Sequence, residues 1–354
     1  MDAPNQNACD TTMDDVISLT APGTALRLAL DMIIAGHLGA LICVGDSDAV
    51  LAAGNDGFPL NISFTANRLF ELSKMDGAIV IDRDLTQILR ANFHLNPDPS
   101  LPTAETGMRH RTAARMSLLT KAIVISVSER RQVVHVYLNG RSFQLRPTAE
   151  LMTSVSQLLT TLQTTRQSLD RSLVRLSSLE MDNFVTLVHV TKIFNSFELL
   201  LAADADLRNL IAQLGSEGRT VEMQRSRLTG EISDEYLLMV RDYAHDSSPE
   251  VACEIREQFR MLAAKRSLGF KQVAAILGLE GTTEESVVKP LGLRTLSRIS
   301  VVREGMAEKL VDEYGSLQEM LGEIQENPSR LDDIGVHNPT ILADSLSRMH
   351  GRQA

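Results

Sequence analysis

Hydrophobic residues in the first 145 positions alternate between the spacing of a helix and the continuous runs of buried strands. After Thr24, apolar residues recur at helical spacing, which predicts an amphipathic helix with Thr24 as its N-cap. The apolar positions of that helix are Leu26, Ala29, Leu30, Ile33 and Ile34. Runs rich in Val and Ile predict buried strands at 39–44, 77–81, 86–93 and 122–127.

Two further strands, 133–138 and 141–145, flank the pair Asn139 and Gly140. An Asn-Gly pair between strands is typical of a hairpin with a primed turn. Because helices are interleaved with strands that include a hairpin, the sequence predicts an α/β domain with a mixed central sheet flanked by helices.

The pattern changes after Pro147, where an apolar residue recurs every seven positions at Val155, Leu162, Leu169 and Leu176. This spacing predicts a long packed helix, and helical spacing continues through 184–203 and 236–243. We therefore expect an all-α spine after the α/β domain, and a small all-α domain at the end of the chain. The predicted boundaries are 1–146, 147–290 and 291–354.

Composition and charge limit the classes to which this protein can belong. The 354 residues carry 35 Lys and Arg against 45 Asp and Glu, for a net charge of −10, so the surface as a whole repels nucleic acid. No apolar run approaches the roughly 18 residues of a membrane span. Four aspartates precede the first basic residue, Arg27, unlike a secretory signal, and three separated cysteines form no disulfide pattern. We expect a cytoplasmic protein without membrane contact.

The sequence lacks the common motifs of NTPases, dehydrogenases, serine hydrolases and zinc proteases. It has instead a loop with prolines at 97, 99 and 102 that leads to Arg109, His110, Arg111 and Thr112 at the start of a predicted helix. Backbone amides, the helix dipole and two guanidinium groups would meet there, which favours a polyphosphate site. A solvated basic helix face is the alternative interpretation.

Asp76 is a second candidate, because it precedes the predicted strand 77–81 and so lies at the rim of the sheet. There it could act as a metal ligand or a general base, although an Asp-Gly pair is more often an ordinary turn. His110 could bind a metal or serve as a hydrogen-bonding partner of its neighbours.

Two short motifs together carry a resemblance to a known family. Lys-Met-Asp-Gly-Ala at 74–78 and Gly-Met-Arg-His-Arg-Thr-Ala at 107–113 resemble the Asp-Gly-Ala and Arg-His-Arg motifs of diadenylate cyclases. Further matches lie at 21–24, 92–99, 185–187 and 214–219. Over its whole length the chain resembles the DisA family of DNA integrity scanning proteins. The resemblance implies a cyclase domain that joins two ATP molecules into cyclic di-AMP, a helical spine and a helix-hairpin-helix domain that contacts branched DNA.

The resemblance also implies roles for individual residues. Asp76 would activate the ribose 3′-hydroxyl and bind a divalent metal, Mg²⁺ or Mn²⁺, with His110 as the other candidate metal ligand. Gly77 and Leu95 would line the adenosine pocket. The residues on the phosphate side would be Met108, Arg109, His110, Arg111, Thr112 and Ser128. The family usually has Thr where this chain has Met108, so a hydroxyl is replaced while the backbone amide stays.

Family members place two cyclase domains face to face, each with one ATP, and the resemblance implies a homo-octamer. The C-terminal domain departs from the family, because Asp333 replaces the first Gly of the hairpin tip at 331–335. Residues 291–354 hold seven basic and ten acidic side chains, a net charge of −3. We therefore expect weak or no binding of branched DNA. The alternative function is a DNA-surveying protein that senses ATP with little turnover.

Overall fold

The computed structural model describes residues 12–279, 281–302, 305–326 and 341–346. The chain forms two compact units. The first, here the α/β unit, combines Met1–Ser156 with Arg208–Glu222, and the second, here the helical unit, combines Gln157–Leu207 with Met223–Ala354. The predicted hairpin tip with Asp333 lies outside the described residues.

The α/β unit is built on an eight-stranded mixed sheet among the described residues. Its strands are β1 (Ala40–Val44), β2 (Gly54–Asn55), β3 (Phe58–Ser63), β4 (Ala78–Ile81), β5 (Gln87–Leu95), β6 (Ile123–Ser128), β7 (Val133–Leu138) and β8 (Arg141–Leu145). The order is β2-β5-β4-β1-β6-β7-β8, with β3 paired to β5. Of the strand pairs described, β1 and β4 alone run parallel, which confirms the predicted mixed sheet.

Helices cover both faces of this sheet. They are α1 (Met13–Thr20), α2 (Ala25–Ala35), α3 (Ser47–Ala52), α4 (Ala66–Leu72) and α5 (Met108–Leu119). Ile42, Ile79 and Ile125 face α1, α2 and α4, whereas the alternate positions, such as Cys43 and Val124, face α3 and α5. We call this second side the α5 face.

Local signals in the sequence are confirmed in the structure. The hydroxyl of Thr24 accepts a hydrogen bond from the amide of Arg27 at 3.1 Å, as expected of an N-cap. Asn139 and Gly140 both have positive φ, 49° and 73°, as a type I′ turn requires. The sequence interpretation did not include α1, α3, β2 or β3.

The helical unit contains most of α6 and α7 and all of the helices after α8. The helices are α6 (Thr148–Met181), α7 (Leu187–Leu214), a 3₁₀ turn (Gly215–Gly218), α8 (Arg219–Thr229), α9 (Ile232–Tyr243), α10 (Pro249–Ala263), α11 (Phe270–Leu277), α12 (Leu293–Ser297), α13 (Met306–Tyr314) and α14 (Leu317–Glu326). Val155, Leu162, Leu169 and Leu176 are all buried along α6, which confirms the long packed helix. Among the described residues, no helix has the length and apolarity needed to cross a membrane.

Candidate active site

The predicted site residues lie along one edge of the sheet in the α/β unit. Strand β1 runs parallel to β4 and antiparallel to β6, so the beginnings of β1 and β4 lie beside the end of β6. Asp76 precedes β4, and Ser128 is the last residue of β6. Because neighbouring strands are about 4.8 Å apart, the ends of β4 and β6 are separated by roughly 10 Å, a span that a nucleotide can bridge.

Close contact between two backbones holds the start of β4. Gly77 has a φ of +88°, and a Cβ atom there would lie 2.8 Å from the carbonyl carbon of Asn92. Asn92 is itself left-handed, with a φ of 52°, and its Nδ2 donates a hydrogen bond to the carbonyl oxygen of Asp76 at 2.8 Å. The carboxylate-bearing Asp76 is exposed. Leu95, at the end of β5, packs against the core of the α5 face.

Helix α5 directs its N-terminus toward the same edge. Its N-cap is Gly107, which has no side chain to bond the first amides of the helix. Arg109 lies against Gly39, where an added Cβ would collide with the guanidinium group, and is 4.0 Å from Glu129. Met108 is 78% exposed. Uncapped amides beside an arginine form a suitable place for an anion.

The following turns of α5 hold the other two residues of the basic motif. Arg111 is exposed and Thr112 is half-buried. The backbone amide of Arg111 bonds to the carbonyl oxygen of Gly107 at 2.9 Å, so it belongs to the helix and is not one of the amides left over at the end.

A cavity of about 480 Å³ opens between α5 and the β6–β7 hairpin. It brings together His110 and Ser128, two of the predicted residues, and adds Arg130 and Arg131 from the hairpin turn. The remaining lining residues are Glu105, Thr106, Gly107 and His135. The sequence interpretation missed the two arginines, although they follow Ser128 directly in the chain. Asp76, Gly77 and Leu95 are not part of this lining.

His110 is tied into a hydrogen-bonded chain at the wall of the cavity. Its Nδ1 lies 2.8 Å from the hydroxyl of Tyr137, and that hydroxyl donates to a carboxylate oxygen of Glu105 at 3.0 Å. The ring of His135 is perpendicular to the ring of His110, with centroids 5.1 Å apart. Burial, followed by the nearby His135, lowers the pKa of His110, and this favours a neutral ring at neutral pH.

Among the described residues on this side of the sheet, two polar atoms are buried without a hydrogen-bonding partner. They are Oγ of Ser126 and Nδ1 of His135, which belong to residues paired across β6 and β7. Burying an unpaired polar group costs about 1 to 3 kcal/mol, so these positions are not explained by stability alone.

The described residues contain no group of three or more His, Cys, Asp or Glu side chains that could hold a metal ion. Mg²⁺ in nucleotide sites is commonly bound by one or two protein ligands together with phosphate oxygens and water. An exposed carboxylate at Asp76 and an imidazole at His110 fit that kind of shared site.

Comparisons with known proteins identify the family of this chain. The family model described as DisA bacterial checkpoint controller nucleotide-binding matches residues 27–142. The model described as DisA bacterial checkpoint controller linker region matches residues 145–286. The two models cover the sheet, the α5 motif and most of the helical spine.

Curated relatives match over nearly the full chain. The DNA integrity scanning protein DisA of Symbiobacterium thermophilum is 39% identical over 334 residues, covering 94% of this chain and 95% of that protein. The protein of the same name from Kineococcus radiotolerans is 36% identical, covering 96% and 97%. Among solved structures, DacA from Staphylococcus aureus is 21% identical and covers 38% of this chain and 91% of its own, with a TM-score of 0.30.

Proposed function

The chain belongs to the DisA family and is a diadenylate cyclase, and from this premise we propose that it condenses two ATP molecules across an interface between two subunits. Each ribose 3′-hydroxyl attacks the α-phosphorus of the other nucleotide. A phosphodiester bond forms, the bond between the α-phosphorus and the β-bridging oxygen breaks, and pyrophosphate leaves. Two such steps yield one cyclic di-AMP and two pyrophosphates.

In this proposal the sheet edge provides both the base for the 3′-hydroxyl and the groups that bind the phosphates. Asp76 accepts the proton of the 3′-hydroxyl, and Gly77 and Leu95 border the adenosine. The phosphates lie against the N-terminus of α5, where the amide of Met108 and the side chains of Arg109, Arg111 and Thr112 are placed, and against Ser128. A divalent metal, Mg²⁺ or Mn²⁺, would be held by Asp76 and His110 and would neutralise phosphate charge when bound.

The observation that carries this proposal is the convergence of unlike groups on one edge. A carboxylate, an uncapped helix end and the basic residues Arg109, Arg130 and Arg131 are presented by elements far apart in sequence. Phosphodiester formation depends chiefly on positioning the two nucleotides and neutralising their phosphates. The same edge therefore suits a phosphorylated nucleotide better than it suits a neutral ligand.

A direct assay tests the proposal. The purified full-length chain is incubated with ATP and Mg²⁺ or Mn²⁺, and the products are separated by chromatography. We expect cyclic di-AMP and pyrophosphate in a ratio of one to two, and no product after the metal is removed with a chelator. Hydrolysis of ATP to ADP or AMP without cyclic di-AMP would contradict the proposal.

The homo-octamer, the cytoplasmic location and weak binding of branched DNA complete the proposal. The free Cys43 and Cys253 fit a reducing compartment. Asp333 at the predicted hairpin tip and the net charge of −3 over 291–354 argue against tight DNA binding. A gel-shift assay with a four-way junction should show little binding by the unmodified protein and stronger binding by Asp333→Gly. Tight binding that is equal in both proteins would contradict this account of the tip.

A further inference from the structure

The hydrogen-bonded chain from Glu105 through Tyr137 to His110 has a direction that the structure determines. The Tyr137 hydroxyl donates its single proton to a carboxylate oxygen of Glu105 at 3.0 Å. The hydroxyl oxygen can then only accept from His110, whose Nδ1 lies 2.8 Å away. His110 therefore carries its proton on Nδ1.

The position of this proton decides what the other edge of the ring can do. A neutral imidazole with its proton on Nδ1 has a lone pair on Nε2 and no proton there. We propose that Glu105 and Tyr137 fix His110 in this tautomer, so that Nε2 binds the divalent cation that accompanies the triphosphate and does not donate to phosphate. This inference rests on the proposed function, because it assumes a metal–nucleotide complex at this edge.

Packing makes the hydrogen-bonded residues Glu105 and Tyr137 a fixed support for the His110 ring. Tyr137 is 1% exposed within the core of the α5 face, and its strand is paired on both sides, to β6 and to β8. The ring of His135 meets His110 edge to face, and a Cβ at Gly107 would lie 3.4 Å from Cδ2 of His110. The imidazole is thus held by contacts on several sides. A ligating histidine commonly donates its other ring N–H to a group that sets its orientation, and Tyr137 with Glu105 supplies such a group.

The arginines around the cavity already supply donors for phosphate, so His110 is not needed in that role. Arg130 and Arg131 line the same cavity, and Arg109 lies nearby at the start of α5. Three guanidinium groups already provide phosphate donors at this edge. None of them can bind a cation, and the imidazole lone pair can.

The first test needs neither ATP nor turnover. Solid-state nitrogen NMR of the full-length protein labelled with ¹⁵N-histidine resolves the tautomers of its eight histidines, and the His110→Gln variant identifies the His110 signals. We expect a protonated Nδ1 and an unprotonated Nε2 for His110, and a mixture of tautomers in Tyr137→Phe. A protonated Nε2 in the unmodified protein would overturn the proposal, whatever the protein does with ATP.

The second test measures cation binding without reaction. Mn²⁺ is titrated into protein saturated with 3′-deoxyATP, which has no attacking hydroxyl, and free Mn²⁺ is followed by electron paramagnetic resonance. Tyr137→Phe should weaken Mn²⁺ binding about 10- to 100-fold, the usual effect of removing a supporting hydrogen bond from a metal ligand. Adenosine affinity should stay unchanged.

The matched control is Tyr236→Phe, which removes another buried tyrosine hydroxyl that donates to a glutamate, Glu198, in the helical unit. That variant should bind Mn²⁺ as the unmodified protein does. Equal Mn²⁺ affinity in Tyr137→Phe and the unmodified protein would overturn the proposed support of His110 by Tyr137. Absence of cyclic di-AMP from the unmodified protein would count against the proposed function instead.

Discussion

Each unit of the molecule contains a buried tyrosine that donates to a glutamate, and the two surroundings differ. In the α/β unit, the hydroxyl of Tyr137 donates to Glu105, and Glu105 lines a cavity of about 480 Å³. In the helical unit, the hydroxyl of Tyr243 donates to Glu180 at 2.7 Å, and the partner of that carboxylate is Arg294, whose side chain is 1% exposed. We refer to these as the open cluster and the sealed cluster.

The sealed cluster joins secondary-structure elements. Glu180 lies on α6, and Arg294 belongs to the first turn of α12. Asp242, at the end of α9, accepts hydrogen bonds from the backbone amides of residues 292, 293 and 294 at 2.9, 2.6 and 3.1 Å. The cluster therefore caps one helix and ties it to two others. The open cluster instead contacts a histidine at the wall of a cavity. Similar residue pairs thus join helices in one unit and, in our proposal, support ligand binding in the other.

The largest expected effect is a loss of catalytic rate, and it is expected at the sheet edge that carries the open cluster. Asp76→Asn should reduce cyclic di-AMP formation by about 10²- to 10⁴-fold, because the amide cannot take the proton of the 3′-hydroxyl. The side chain is exposed, so the unfolding transition should not move. Initial rates and thermal unfolding measured on the same preparation check both points. Activity near that of the unmodified protein would remove Asp76 from the mechanism.

Breaking the sealed cluster should affect stability most. Arg294→Met leaves Glu180 as a buried charge without its partner and should lower the free energy of unfolding by about 3 to 5 kcal/mol. Urea unfolding followed by circular dichroism measures this. Arg260→Met is the matched control, because its ion pair with Glu257 is exposed, and its unfolding midpoint should hardly change. If both variants unfold alike, the sealed cluster is not a structural support.

The basic motif of α5 should distinguish phosphate from nucleoside. Replacing Arg109 or Arg111 by Ala should weaken ATP binding by about 1.5 to 3 kcal/mol for each charged hydrogen bond removed. Binding of adenosine should change little in calorimetry. Arg141→Ala, at the opposite edge of the sheet, removes the same charge and serves as the control. An equal loss of affinity for both ligands would instead support the alternative interpretation, in which the motif is a solvated basic helix face.

The sealed cluster should make the free energy of unfolding depend on pH. Burial, followed by the nearby Glu180, raises the pKa of Asp242 from 3.8 to about 7. Between these values the folded state binds a proton that the unfolded state does not, so the free energy of unfolding should fall as the pH rises through this range and level off above it. Urea titrations from pH 5 to pH 8 measure the slope, and Asp242→Asn should flatten it. A slope that is unchanged in the variant would assign the dependence to other groups.

The smallest effect is expected at Met108, where the family usually has Thr. The side chain is 78% exposed, so Met108→Thr should leave the fold unchanged. The added hydroxyl should leave ATP affinity equal or improve it by at most about 1.5 kcal/mol, the net value of one hydrogen bond. Weaker ATP binding in calorimetry would show that the methionine itself contributes a contact.

Sequence patterns predicted the elements whose signals are local. The heptad spacing of α6, the cap at Thr24 and the Asn-Gly turn depend on residues a few positions apart. β3 gave no such signal, because most of its side chains are exposed and its pairing with β5 joins positions about 30 residues apart. Edge pairing of that kind is decided by tertiary contacts.

The motifs of the candidate site could be predicted from the sequence, but the hydrogen bonds between its residues could not. Asp76 and the α5 motif are contiguous in sequence. The chain from His110 to Tyr137 to Glu105 spans separations of 27 and 32 residues, and it exists only because β7 turns Tyr137 toward α5. One available signal was the His-x-Tyr spacing at His135 and Tyr137, which places both side chains on one face of a strand.

The missing side chain at Gly107 has a consequence for how this enzyme can evolve. A serine there would cap α5 and stabilise the helix by about a few tenths of a kcal/mol, since glycine is only slightly inferior to serine as a cap. Its hydroxyl would also accept a hydrogen bond from a backbone amide that, in the proposed function, binds phosphate. Selection for a more stable fold and selection for turnover would then act in opposite directions on one codon, because in the proposed function the phosphates of the substrate cap the helix.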